Sequence, residues 1–130
     1  MEILCPISVA ELFDKLSILE IKLNKIKNVE KSKIVEKEME KIKTILKKYS
    51  LDNYTKADFY VKLSEINKKI WEIGLESRKL EKNKDFNSTY IKNSIDEHRF
   101  NEERSNIKRF INEKFKSDIC EAKEYREENY

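Results

Sequence analysis

Glycine and proline occur once each in the 130 residues, as Gly74 and Pro6. So few chain breakers, together with 41% charged residues, describe a helix-rich chain with few tight turns. A lone glycine also rules out a glycine-rich phosphate loop and a GxSxG nucleophile turn. Histidine is scarce too. His98 stands alone, which excludes HExxH and every Cys/His metal spacing and leaves a packed or half-exposed structural role for the ring. The two cysteines, Cys5 and Cys120, sit at opposite ends without a CxxC partner, so free thiols are expected rather than a terminus-to-terminus disulfide. No apolar run approaches the length of a membrane span, and residues 1–6 do not read as a signal peptide. The expectation is a cytoplasmic protein with no membrane, no metal and no cofactor.

Charge of one sign is also lacking. Residues 1–50 hold 11 Lys/Arg against 8 Asp/Glu, residues 51–90 hold 8 against 7, and residues 91–130 hold 9 against 10. A nucleic-acid binder concentrates its positive charge on one face or tail, so nucleic acid is not an expected partner. Tyr60, Trp71 and Phe115 read as core residues rather than base-stacking platforms.

What is present is apolar periodicity. At 100° per residue, Val9, Leu12, Leu16, Leu19, Leu23 and Ile26 fall in one narrow stripe, predicting a helix over about residues 9–27. Ser8 with Glu11 three residues on forms a capping box, and Ile7 with Leu12 a hydrophobic staple. Val35, Met39, Ile42, Leu46 and Tyr49 mark a second helix. After a break at residues 50–55, Phe59, Leu63, Ile66, Ile70 and Ile73 mark a third, over about residues 56–83. A turn at residues 82–88, with Asn87 or Ser88 as cap, leads to a fourth over about residues 89–115. In that helix Ile91 and Ile95 share one face while Phe100, Ile107, Ile111 and Phe115 lie nearly opposite, so it either bends near His98 or changes packing partner. Residues 119–125 read as a short helix or tail. The fold expected is an all-α single domain, residues 1–130. It is a bundle of about four long helices arranged as two antiparallel hairpins.

Polar residues on these apolar faces are the candidates for chemistry. On the third helix Asn67, Gly74, Arg78 and Glu81 lie in the stripe centred on Leu63. Gly74 costs about 1 kcal/mol in a helix interior relative to alanine, which close approach of another helix or a ligand would offset. On the fourth, Arg104 falls between Ile111 and Phe115, flanked by Asn101, Lys108 and Asn112. On the first, Glu11, Lys15 and Lys22 line one edge. Glu11 and Lys15 also make an ordinary i,i+4 pair, and lysines at a stripe edge bury their stems while the ammonium stays wet. Arg104 needs a carboxylate, a carbonyl or an anionic ligand. Glu81, Glu72 or Glu20 would supply an internal ion pair, and an anion-binding pocket is the alternative. The candidate binding cluster is Glu11, Lys15, Lys22, Arg78, Asn101, Arg104 and Lys108, with no catalytic residue assigned.

Pro6, Ser8, Glu11 and Leu12, followed by Asp14, Lys15, Ile18, Leu19, Ile21 and Lys22, form a PxSxxEL…DKxxILxIK pattern. It resembles the opening of a family of small bacterial all-helical proteins of about this length. The likeness extends to Trp71-Glu72-Ile73, to Asn101 and Arg104 with Lys108, Ile111 and Asn112, and to Glu121-Ala122-Lys123-Glu124-Tyr125. The chain departs from the pattern at Gly74-Leu75, at Ser94-Ile95 and at His98, so an arginine the family tends to carry is missing here. The family has no established activity, and the resemblance implies a fold and candidate positions only.

Two kinds of function follow. A non-enzymatic interaction module, docking a protein partner or a second copy, requires an apolar strip on the folded surface or a stable dimer. A metabolite binder or small bundle enzyme would instead use Lys15, Lys22, Arg78, Arg104 and Lys108 to hold an anionic small molecule between helices. It requires those cations to converge.

Overall fold

A computed structural model describes residues 1–122 of the chain. Its elements are α1 (Val9–Lys25), α2 (Val29–Lys48), a short 3₁₀ helix (Asp52–Lys56), α3 (Asp58–Lys82) and α4 (Ser88–Lys114). The architecture is all-helical, with no strand among the described residues. None of the described helices is long and apolar enough to cross a membrane. Residues 119–122 carry no helix, so this part of the expected C-terminal segment is tail rather than helix, and residues 123–125 lie outside the described part.

Side-chain caps start three of the four helices. Ser8 Oγ accepts from the Glu11 amide, Asn28 Oδ1 from that of Lys31, and Asn87 Oδ1 from that of Tyr90, each satisfying a donor the helix itself leaves open. Only half of the expected capping box forms, because the Glu11 carboxylate turns to Lys108 instead. Of the two staple residues, Leu12 is buried in the core, while Ile7 is exposed and lines a cleft.

The helix ends solve a problem that the missing glycines create. Ser50, Lys84 and Lys116 follow the C-caps of α2, α3 and α4 with φ of 57°, 58° and 50°. Each sits in a Schellman closure. Leu51 N–H donates to Leu46 O at 2.8 Å, Asp85 N–H to Leu80 O at 2.8 Å, and Ser117 N–H to Asn112 O at 2.9 Å. Such left-handed positions usually carry glycine. Here serine and lysine fill them, and the only glycine stands inside α3.

α1 is the central helix. It touches α2, α3 and α4, whereas α2 packs on α1 and on the 3₁₀ helix. One face of α1, Leu12, Leu16 and Leu19, joins Val35, Met39, Ile42 and Leu46 in the core. The other buries Ala10, Phe13, Asp14, Ser17 and Ile21, and by its contacts it meets α3 and α4. Phe13 packs edge-on to Phe59 at 5.4 Å between centroids and lies 6.0 Å from both Tyr60 and Phe115.

α3 and α4 pair antiparallel, with Asn67 beside Arg104 and Glu81 beside Tyr90. Their inner half rests on α1. Beyond Asn67 in α3, and before Ser105 in α4, the buried residues are Ser77 and Asn93, both polar. α4 is one uninterrupted helix. Its two apolar faces meet different surroundings: Phe100, Ile107, Ile111 and Phe115 pack on or in the core, while Ile91 and Ile95 are 58% and 63% exposed. Gly74 has open space where a side chain would go, so neither a close helix nor another protein group explains it. Tyr49, expected in the α2 stripe, is exposed.

Candidate functional site

The second buried face of α1 brings polar groups into a small core, and a network answers each of them. Asp14 is 4% exposed and Asn67 3%. The Asn67 carboxamide donates to Asp14 Oδ1 at 2.8 Å and to Ser17 Oγ at 2.6 Å, and its oxygen accepts from Arg104 at 3.3 Å. Lys108 completes the set from α4. Its ammonium donates to Glu11 Oε2 at 2.7 Å and lies 3.5 Å from Asp14 Oδ2. Charges removed from water are tolerable only when paired and hydrogen-bonded. The three helices α1, α3 and α4 are thereby tied at one level.

The start of α1 is closed by the end of α4. Asn112 Oδ1 accepts from the Ala10 amide at 2.8 Å and Ser117 Oγ from the Val9 amide at 3.1 Å. With Ser8 serving Glu11, three first-turn amides that would otherwise hold an anion already have acceptors.

Beside this network opens a cleft of about 850 Å³ between the start of α1, α4 and residues 119–121. Glu11, Asp14, Asn101, Glu102, Arg104 and Lys108 line it, with His98, Ser105 and the Cys120 thiol beside them. Cys5 and Cys120 are both free and exposed. Among the described residues no group of three or more His, Cys, Asp or Glu side chains is placed to hold a metal ion.

Of the seven sequence-predicted residues, the structure gathers Glu11, Asn101, Arg104 and Lys108 at this cleft. Lys15 and Lys22 are half-buried on α1, and Arg78 is exposed on α3; none of the three lines it. Arg104 meets the Asn67 amide rather than Glu81, Glu72 or Glu20, and Glu81 accepts from the Tyr90 hydroxyl at 2.8 Å. Glu11 pairs with Lys108 in place of Lys15. Asp14, Ser17, Glu102 and Ser105 were missed. A signal for the first two was present, since Ala10, Phe13, Ser17 and Ile21 repeat at spacings of three and four on the side of α1 opposite its leucines, marking a helix buried on two faces.

No curated protein and no solved structure matches the chain. The profile of a family of unknown function, DUF6165, does match it over residues 3–128, and the chain belongs to that family.

Proposed function

We propose that the protein is a non-enzymatic interaction module that self-associates through the outer half of the α3–α4 hairpin. The observation that carries this is the exposure of Ile91 and Ile95, one turn apart on α4 and outside the core cluster. Isolated exposed apolar residues are ordinary. This pair stands on a two-helix stem whose buried positions, Ser77 and Asn93, each have a polar atom without a hydrogen-bond partner among the described residues, which costs the stem stability.

A second copy fits the strip better than an arbitrary partner. An antiparallel two-fold contact sets Ile91 of one chain against Ile95 of the other, and an isologous interface needs such self-complementarity. The charges beside the strip do not oppose it, because Lys92 pairs with Asp96 at 2.6 Å and Arg99 with the same carboxylate at 3.3 Å. The network around Asp14 then acts as scaffold, fixing how the hairpin leaves the core.

Light scattering after size exclusion tests this at protein concentrations up to ~100 μM, where a dimer of micromolar affinity is well populated. The expected result is a dimer that the Ile91→Ser/Ile95→Ser double variant converts to a monomer of unchanged helicity. A monomer at every concentration overturns the proposal.

A further inference from the structure

We infer that the cleft between α1 and α4 binds a small zwitterion, a molecule with a carboxylate at one end and an ammonium at the other, such as a short peptide with free termini. This goes beyond self-association and uses different residues.

The cleft volume of about 850 Å³ lies in the range of small-molecule sites. What it accepts follows from which groups are already engaged. The first-turn amides of α1 are taken by Ser8, Asn112 and Ser117. The Lys108 ammonium is taken by Glu11 and Asp14. Neither is left for a phosphate or another compact anion. Arg104 is different. Among the described residues its partner is the neutral Asn67 carbonyl at 3.3 Å, and a guanidinium has five N–H donors in a fork that matches a carboxylate. It is the cation of the cleft with donors to spare.

An anion alone would still meet an unfavourable wall, because Glu11, Asp14, Glu102 and Glu121 line the same space and Lys108 pairs with the first two. Glu102 precedes Arg104 by two residues, which separates them by about 200° around α4. Both line the cleft, so they stand on opposite flanks of the face that carries Asn101 and Ser105. One positive and one negative group thus bracket that face. A carboxylate set on Arg104 places the far end of an extended ligand toward Glu102, where an ammonium is favoured and a second anion is repelled.

The test is a titration of the ¹⁵N-labelled full chain with trialanine, N-acetyl-trialanine and trialanine amide, following amide shifts. Trialanine is expected to give saturable shifts at cleft residues, and capping either end is expected to weaken binding about tenfold or more. Arg104→Lys keeps the charge but loses the fork, and is expected to weaken trialanine. Glu102→Gln is expected to abolish the preference for trialanine over its N-acetyl form without changing the melting temperature. Equal binding of the N-acetyl peptide to the wild type overturns the proposal in favour of an anion site. So does the absence of saturable shifts from all three peptides up to ~10 mM, or shifts that neither variant alters. These readouts are independent of the Ile91/Ile95 result, which reports self-association alone.

Discussion

The Asn67 carboxamide donates to the Asp14 carboxylate at 2.8 Å inside the junction of α1 and α3. Replacing the amide by an acid, Asn67→Asp, keeps the shape and sets two carboxylates against each other. Arg104 beside the other oxygen offsets only part of the repulsion. We expect a loss of about 3–5 kcal/mol at neutral pH, the range for leaving a buried charge uncompensated. The sign of its pH dependence is fixed. One carboxyl of the pair takes a folded-state pKa above its unfolded value, so the deficit is smallest in acid and grows as pH rises through the raised pKa. Urea unfolding of variant and wild type at pH 4 and pH 7 reads this as a gap that widens toward neutrality. A gap independent of pH would mean the two groups are not in contact.

Lys108 is the cation on which that junction depends. Lys108→Met removes the partner of both Glu11 and Asp14. The exposed part of Glu11 rehydrates, but Asp14 does not. A destabilisation of about 2–4 kcal/mol is expected, with most of it recovered when Asp14→Asn is added, since the neutral amide still accepts from Asn67. A double-mutant cycle by chemical denaturation should give a coupling of at least about 1 kcal/mol. Strict additivity would show that Lys108 acts on Glu11 alone.

The helices, their order and the three breaks were legible because apolar period and polar interruptions are local signals. The breaks at residues 50, 84 and 116 could be read without glycine, since the apolar stripe stops there even though the left-handed position is filled by serine or lysine. Less legible was the centrality of α1. A single stripe through Leu12, Leu16 and Leu19 describes a helix buried on one side, whereas this helix has neighbours on two, so Asp14 and Ser17 read as surface. Four of the seven candidate residues line one cleft, for a related reason. Arg104 and Lys108 lie on the inner face of α4, and their side-chain length lets them reach α3 and α1. Lys15, Lys22 and Arg78 fit the same periodicity, but no helix end or partner acid draws them to the cleft.

Glycine placement gives a prediction of opposite signs from what it suggests at first sight. Gly74 occupies a helix interior with open space around its missing side chain, so Gly74→Ala is expected to stabilise by about 0.5–1 kcal/mol through helix propensity. Lys84 occupies a left-handed position in a Schellman closure, so Lys84→Gly is expected to stabilise by up to about 1 kcal/mol by relieving the strain of a side chain there. Thermal melts of the two single variants and the double variant should show gains that add, the sites being about 15 Å apart along the helix. A loss on Gly74→Ala would reveal that something unseen approaches the α3 backbone there.

Tyr60 supplies an alkaline limit to stability. Its ring is buried against Phe13, and its hydroxyl lies beside Glu20 and Ser64 without a hydrogen bond of good geometry among the described residues. Burial first, and then the nearby Glu20 charge, push its pKa well above the usual tyrosine value. The folded state therefore holds a proton that the unfolded chain releases near pH 10. The contribution of this group is complete below about pH 10 and is lost as pH climbs further. Tyr60→Phe removes both the ionisation and a buried hydroxyl with poorly formed hydrogen bonds, so at pH 7 it should change stability by no more than about 1 kcal/mol. Between pH 9 and about 11.5 the wild type should lose melting temperature faster than the variant, with absorbance at 295 nm showing one phenol that ionises only on unfolding. Parallel pH profiles for the two proteins would place the Tyr60 hydroxyl in contact with solvent instead.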